Sequence, residues 1–271
     1  MKKAIFLVLA LPFIFSCHTN SITGRKQLTL FPESTLQQQA LSEYKTFLST
    51  NKVVKESTSR DAEMVKRVGA RIARAITDYY TQKGLGKELN GYNWEFNLVD
   101  NKEVNAWCMP GGKVVVYTGL LPITQNEAAL AVVLGHEITH ALAHHGNERM
   151  SQAVIAQGLQ VTGSIFTSNN QQAHNIFNAV FAPTAAVAVL LPNSRSNELE
   201  ADRYGIIFSA MAGYNPRESI PFWERMAKAG GAKPPEFLAT HPADQKRIKE
   251  LNKHMPEALG YYKPVLPAPR D

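Results

Sequence analysis

The segment AVVLGHEITHALAHH, residues 131–145, places four histidines and one glutamate in an otherwise apolar, alanine-rich run. The apolar residues predict a buried helix, which Asn126 would cap and Glu127 would favour as a carboxylate in the first turn. Gly146 is expected to end this helix. Because unpaired polar groups cost stability in a core, the titratable residues of the segment need a partner inside the protein.

His136 and His140 lie four residues apart, so on a helix both imidazoles project from one face and can reach a single zinc ion. Glu137 lies beside them. Zinc lowers the pKa of its bound water, and a neighbouring carboxylate can take the proton of that water and later protonate the leaving amine of a peptide bond. The motif HEITH therefore predicts a hydrolytic site with one Zn²⁺ per chain and Glu137 as general base.

A catalytic zinc site needs a third protein ligand and one open position. The metzincin spacing is excluded, because it requires glycine at position 143 and histidine at position 146, where the chain has Ala143 and Gly146. A downstream carboxylate is one candidate for the third ligand, and the other candidates are His144, His145, His174 and His241. His144 and His145 are interpreted as structural or exposed residues at the helix end, off the zinc face.

The segment NELEADRYG, residues 197–205, is the best source of the third ligand. Glu198 and Asp202 are four residues apart, so one helix face can present Glu198 to the metal and Asp202 to a ligand imidazole, whose tautomer it would fix. Glu200 is expected to point elsewhere. The alternative is that all three carboxylates decorate the start of a surface helix.

HEITH followed by this E-x-x-x-D pair resembles the zinc endopeptidase family that includes the CAAX prenyl protease and the HtpX-like, BepA-like and LoiP-like bacterial proteins. The segments VNAWCMPGGKVVVYTGLL and THPADQKRIKEL are also similar to that family, so the resemblance runs from about Ile22 to Leu251. Trp107 and Cys108 stand where smaller or aliphatic residues are more usual, which leaves the substrate preference open.

The resemblance implies a role for each residue of the site. His136, His140 and Glu198 would be the zinc ligands, Glu137 the catalytic acid and base, and Asp202 the outer partner that orients a ligand.

Two further residues are candidates for the same site. His241 could approach the open metal position as a catalytic transition-state donor or as a blocking fourth ligand, or it could be a capping or surface histidine. Arg247 could pair with a site carboxylate. The strand GGKVVVYTG could hold an extended substrate by strand addition at an exposed edge, or it could be a simple core hairpin.

The predicted fold class is α+β and mostly helical, a zincin-like metallopeptidase domain over residues 34–271 with a small β-sheet beside the HEITH helix. Apolar residues at helical spacing predict amphipathic helices over residues 34–51 and 60–83. Alternating and β-branched residues between positions 92 and 121 predict about three short strands, the last two forming a hairpin. A terminal helix is expected from about Pro242.

The N-terminal sequence MKKAIFLVLALPFIFSC is typical of a bacterial lipoprotein signal over residues 1–16, with Cys17 as the lipidated first residue and a tether over residues 17–33. A plain signal peptide or a short membrane anchor is the alternative. His18, in place of aspartate, favours the outer membrane with exposure to the periplasm.

Only two cysteines are present, so no disulfide framework is expected, and Cys108 is interpreted as a small buried hydrophobe. The net charge is +6, but basic residues alternate with apolar ones in no long run, which argues against nucleic-acid binding. Residues 151–194 carry no Asp, Glu, Lys or Arg. Their uninterrupted apolar pieces are too short to span a bilayer, so buried paired helices or a lid are expected.

The predicted function is a zinc-dependent endopeptidase that is anchored by lipid to the cell envelope. Its expected partners are misfolded or unassembled envelope proteins, on the resemblance above, and the membrane through Cys17. The alternative is a lipoprotein chaperone or assembly factor whose protease site is gated and mostly latent. The presence of Glu137 favours the enzyme, since a purely structural zinc site has no use for that carboxylate.

Overall fold

The computed structural model describes residues 17–156, 171–181, 194–229, 235–242 and 245–264. The predicted signal segment and most of the charge-free region 151–194 lie outside the described residues. Of the described helices, none combines the length and the apolar character that crossing a membrane requires.

Helices dominate the described chain, and the predicted mostly helical α+β class is confirmed. The strands are β1 (Cys17–Thr19), β2 (Lys26–Leu28), β3 (Glu95–Val99), β4 (Ala106–Met109) and β5 (Lys113–Tyr117). The helices are α1 (Glu33–Thr50), α2 (Arg60–Gln82), α3 (Leu121–Thr124), α4 (Glu127–Leu142), α5 (His145–Ala156), α6 (Gln171–Phe181), α7 (Arg195–Met211), α8 (Ser219–Ala229), α9 (Glu236–Thr240) and α10 (Gln245–Tyr261).

The larger sheet has the order β3-β5-β4, in which β5 pairs in parallel with β3 and antiparallel with β4. The predicted hairpin is therefore confirmed, and Gly111 and Gly112 make its turn with φ of 82° and 79°, which glycine adopts without strain. Every residue of β5 is buried. Strand addition to GGKVVVYTG is thus wrong, because β5 is already paired on both sides, and the core-hairpin interpretation holds.

The sheet separates two apolar cores, since alternate side chains of a strand point to opposite faces. Val114 and Val116 of β5 join the main core, which is built largely from α2, α4 and α7. Val115 and Tyr117 join a second core with α1, α5 and α6. The helix α4 lies in the main core and is buried from Ala129 onwards.

A close crossing joins α4 to α7. A Cβ atom at Gly135 would lie 2.4 Å from the carbonyl oxygen of Gly205, and one at Gly205 would lie 2.8 Å from the backbone nitrogen of His136. The Ser209 hydroxyl adds a hydrogen bond of 2.8 Å to the carbonyl of Ala131 across the crossing. The two helices that carry the predicted site residues are therefore in backbone contact.

The predicted cap of α4 is present, since the side-chain oxygen of Asn126 accepts a hydrogen bond of 2.8 Å from the Ala129 amide. The predicted end at Gly146 is wrong. The helix stops at Leu142, and His144 takes a left-handed φ of 53° before α5 begins. Gly146 lies inside α5, where the Phe181 ring leaves no room for a side chain. A Cβ atom at this position would lie 2.1 Å from that ring.

The segment interpreted as a tether contains a short antiparallel hairpin, which the sequence did not predict. Strands β1 and β2 pair in the register Cys17 with Leu28. Asn20 donates a hydrogen bond of 3.1 Å to the carbonyl of Leu142, and Gln27 donates one of 2.7 Å to that of Ala143. The hairpin thereby satisfies carbonyl groups that the end of α4 leaves without helical partners.

Candidate metal centre

Four side chains from three segments converge where α4 crosses α7. One ligand atom from each of His136, His140, Glu198 and His241 lies within 4.8 Å of the others. The Nε2 atoms of His136 and His140 are 3.1 Å apart, and His241 Nδ1 lies 3.2 Å from His136 Nε2. The Glu198 carboxylate completes the group, with Oε1 3.0 Å from His241 Nδ1 and 3.4 Å from His140 Nε2. We call these four residues the central cluster.

The local folds explain how each member reaches the cluster. The four-residue spacing puts both imidazoles of α4 on one helical face, and Glu198 comes from the first turn of α7, which Ser194 caps by accepting a hydrogen bond from the Asn197 amide. His241 follows the last residue of α9, and its amide donates a hydrogen bond of 2.9 Å to the carbonyl of Phe237. His241 is 5% exposed, so the surface-histidine alternative is wrong.

Asp202 and Arg247 support the cluster from outside. Asp202 Oδ1 lies 3.0 Å from His136 Nδ1, the ring nitrogen that faces away from the cluster. Arg247 of α10 donates two hydrogen bonds of 2.7 and 2.6 Å to the Asp202 carboxylate, and its Nη1 lies 3.1 Å from Glu198 Oε2. Its guanidinium also stacks over Trp223 at 3.7 Å from the ring centre. The predicted neighbours are therefore in place, with the arginine bridging both carboxylates.

His145 and Glu200 are site neighbours whose contact with the cluster the sequence did not predict. His145 is fully buried, and its Nδ1 lies 2.9 Å from His140 Nδ1. Its Nε2 lies 2.9 Å from Glu200 Oε2, and Arg25 donates a hydrogen bond of 2.7 Å to Glu200 Oε1. Glu200 points away from the cluster, as expected, but it acts on His140 through His145. The sequence offered only the spacing of five residues between His140 and His145. On the continuous helix that was predicted, this spacing would place the two side chains on different faces, so their contact could not be foreseen.

Glu137 lies at the edge of the cluster, with Oε1 3.5 Å from His241 Nε2. This oxygen is buried and has no hydrogen-bond partner among the described residues. A buried polar atom without a partner is costly unless a ligand, an ion or water satisfies it. Glu137 therefore faces a place where a polar group is required.

The electrostatic surroundings push the pKa values of two neighbouring carboxylates apart. Burial raises the pKa of Glu137 above its usual range, against the attraction of His241 and His136. Burial acts on Glu198 in the same direction, but His241 and Arg247 outweigh it and hold its pKa well below the usual range. One carboxylate is thus suited to exchange a proton and the other to remain an anionic ligand.

The remaining candidates lie elsewhere. His174 Nδ1 lies 3.3 Å from the Gln39 side-chain amide, and His144 Nδ1 lies 3.1 Å from Glu33 Oε1. Both are therefore outside the central cluster. Cys108 is half-buried on β4, and burial and the nearby Glu137 charge raise the pKa of its thiol. A raised thiol pKa disfavours the nucleophilic thiolate and agrees with the predicted apolar role.

The donor set of the cluster fits a zinc ion. Imidazole nitrogen and carboxylate oxygen are typical zinc donors, and two histidines with one glutamate form a known catalytic set. The anionic Glu198 supplies negative charge that a divalent cation would balance. Such a site in a mostly helical α+β fold with an HExxH helix defines a zincin-like metallopeptidase.

Comparison with known proteins agrees with that class. Residues 59–255 match the family described as peptidase family M48. The chain is 36% identical over 203 residues to the mitochondrial metalloendopeptidase OMA1 of Arabidopsis thaliana, covering 71% of this chain and 40% of that protein. It is 28% identical over 275 residues to the human metalloendopeptidase OMA1, covering 94% of this chain and 49% of that protein.

A bacterial relative is the beta-barrel assembly-enhancing protease of Escherichia coli strain K12, which is 29% identical over 170 residues, or 58% of this chain and 33% of that protein. The chain belongs to peptidase family M48, a family of metallopeptidases. The BepA-like resemblance is confirmed, whereas the mitochondrial relatives were not predicted. The chain spans about half the length of the mitochondrial relatives or less.

Proposed function

We propose that this protein is a zinc-dependent endopeptidase that cuts misfolded or unassembled proteins of the cell envelope. The observation that carries the proposal is the buried Oε1 of Glu137, which accepts no hydrogen bond among the described residues, beside the nitrogen and oxygen donors of the central cluster. A purely structural metal site would gain nothing from a second, costly carboxylate at its edge.

His136, His140 and Glu198 would hold the ion. Zinc, when bound, polarises the peptide carbonyl and makes water acidic enough to be deprotonated near neutral pH. Glu137 would take the proton of the attacking water on Oε1 and would give it to the leaving amine. Burial raises the pKa of Glu137, which favours acceptance of a proton by this carboxylate.

The substrate would lie along β4. In the described chain β4 pairs only with β5, and it packs against α4. Cys108 in the middle of β4 is close enough to Glu137 for the glutamate charge to raise its pKa. An extended peptide added at this edge would form main-chain hydrogen bonds with little sequence choice, which suits unfolded substrates.

His241 would keep the resting site closed. Its Nδ1 faces Glu198 and His136 while its Nε2 faces Glu137, so the side chain would occupy the metal position that water and a substrate carbonyl need. A fourth protein ligand closes a zinc site, whereas catalysis needs an open position. This arrangement favours a protease that is latent at rest. A site closed in this way would bind substrates without cutting them, as the chaperone alternative supposes.

The envelope role rests on two features outside the central cluster. The N-terminal sequence has the lipoprotein pattern that ends at Cys17. One relative bears the name beta-barrel assembly-enhancing protease. We infer a lipid anchor on Cys17, with His18 favouring the outer membrane and the domain facing the periplasm. Replacement of Cys17 by serine should release the protein from membranes and abolish labelling by a fatty-acid analogue.

The deciding experiment compares the full chain with Glu137→Gln in zinc content and in hydrolysis of casein. We expect both to bind about one ion at the central cluster and the variant to lose about 10²- to 10⁴-fold in kcat. Zinc binding without cleavage by either protein would favour the chaperone alternative. Absence of zinc from the central cluster of both would refute the metal centre.

A second variant, His241→Ala, tests the closed resting form. Casein hydrolysis should rise, by about 10-fold if the open form makes up about a tenth of the resting population. A fall in kcat with unchanged zinc content would instead make His241 a catalytic donor to the transition state.

A further inference from the structure

A second group of potential metal ligands lies outside the central cluster and includes a residue of the N-terminal hairpin. It consists of His18 on β1, Glu88 in the short 3-10 turn Gly86–Leu89, and His144 between α4 and α5. One ligand atom of each lies within 4.8 Å of the others. The fold thus places two imidazoles and a carboxylate from three segments far apart in sequence close to one another.

His144 is held toward this group by the backbone. Its φ of 53° is left-handed, a conformation that non-glycine residues rarely adopt and that usually reflects a local requirement. Its Nδ1 is buried and lies 3.1 Å from Glu33 Oε1, so the imidazole already faces one carboxylate of this region. A buried imidazole in a strained backbone conformation, beside a second imidazole and a carboxylate, fits a metal ligand.

The group borders a cavity of about 360 Å³ whose polar lining includes His18, Glu33, Glu88, His144 and Asn147. The rings of His18 and His144 meet edge to face with centroids 6.2 Å apart. The two glutamates bring negative charge to the place where the two imidazoles meet. This donor set suits zinc and other divalent transition metals, because magnesium and calcium prefer oxygen ligands alone.

We propose that His18, Glu88 and His144 form a second site for a divalent transition-metal ion, which clamps the N-terminal hairpin to the junction of α4 and α5. Glu33 is placed to join as a further carboxylate. The ion would fix the chain one residue after Cys17 and would strengthen the docking that Asn20 and Gln27 begin. This site shares no residue with the central cluster, so it does not depend on the proposed peptidase activity.

The test titrates the full chain, purified in detergent without a histidine tag, with Zn²⁺ alone and measures bound zinc per chain after dialysis. We expect about two ions for the unmodified chain and about one for His18→Ala. His18 is exposed, so its loss should leave the fold intact. His254→Ala is the matched control, because His254 is a histidine beside Glu250 and Glu257 in α10 and should leave both ions bound.

Further variants separate the two sites. His140→Ala should retain the ion at the second site, and His18→Ala should retain casein hydrolysis. Amide hydrogen exchange of residues 19–28 should slow on zinc addition in the unmodified chain and not in His18→Ala. A single ion in the unmodified chain, located at the central cluster, would overturn the proposal, and so would two ions retained by His18→Ala.

Discussion

The two imidazoles of α4 in the central cluster are oriented by different partners at the nitrogen that faces away. His136 is held by the Asp202 carboxylate at 3.0 Å, whereas His140 is held by the imidazole of His145 at 2.9 Å. A carboxylate partner raises the basicity of a metal-binding imidazole, and a neutral partner chiefly fixes its orientation. His145 is itself oriented by Glu200. His145 and Glu200 together therefore set the orientation of the His140 ring.

His145→Ala should weaken zinc binding at the central cluster by about 10- to 100-fold, which is the usual effect of losing a residue that orients a ligand. The physical reason is that His140 Nδ1 loses the imidazole that holds it among the described residues, and the ring can then rotate. The measurement is competition for zinc against a chromophoric chelator.

Two controls accompany this measurement. His145→Gln keeps a side chain able to hydrogen-bond and should recover part of the affinity, and His254→Ala should leave it unchanged. Equal zinc affinity in His145→Ala and the unmodified chain would show that His145 only fills space.

At the scale of elements, the site depends on how closely α4 and α7 approach. Glycine at positions 135 and 205 removes the side chains that would otherwise separate the backbones. The closeness brings Glu198 within 3.5 Å of His136 Nε2 and Asp202 within 3.0 Å of its Nδ1. Larger side chains at these positions would hold the axes of α4 and α7 further apart, so that Glu198 and Asp202 could not reach His136.

Gly205→Ala should therefore lower both stability and zinc affinity. The new Cβ would meet the backbone of Gly135 and His136 at 3.0 and 2.8 Å, contacts that neither helix can relieve by a side-chain rotation. We expect a loss of about 2 kcal/mol in the free energy of unfolding, typical of an overpacked core, measured by urea denaturation.

The matched control is Gly260→Ala in α10, where nothing lies within 4 Å of the added Cβ. There the free energy of unfolding should be unchanged or rise slightly, because alanine favours a helix more than glycine does. If Gly205→Ala were as stable and bound zinc as tightly as this control, the two helices would have room for the added methyl group, contrary to the short distances at the crossing.

The elements differ in how well the sequence predicts them. Periodic apolar residues predicted α1 and α2 to within one residue at each end, and the Asn126 cap predicted the start of α4. Gly146 misled the prediction because its role depends on Phe181, which lies far along the chain. Local patterns therefore predict elements well, but they do not reveal a glycine that serves a distant ring.

At the scale of the whole molecule, an ion-pair network joins the N-terminal hairpin to the helices behind the site. Arg25 donates two hydrogen bonds of 2.6 and 2.7 Å to Glu148 of α5 and one of 2.7 Å to Glu200 of α7. The pairs span 123 and 175 residues of sequence. Neither spacing nor periodicity carries such information, and for that reason the hairpin was interpreted as a polar tether.

Arg25→Met should lower the free energy of unfolding by about 3 kcal/mol, because it removes one partner of a largely buried ion pair and leaves the Glu148 carboxylate without its cation. The Glu148 side chain is 9% exposed and that of Arg25 is 25% exposed, so solvent screens the pair only in part. Equilibrium urea unfolding gives the change, and methionine keeps most of the length of the arginine side chain.

Lys26→Ala removes a positive charge from the adjacent exposed position and is the control for charge alone. It should change the free energy of unfolding by no more than about 0.5 kcal/mol, as exposed substitutions usually do. A loss in Arg25→Met no larger than in Lys26→Ala would mean that the hairpin rests on the protein without stabilising it. A loss near 3 kcal/mol would show that the N-terminal hairpin stabilises the helices that carry Glu200 and His145, the residues behind His140.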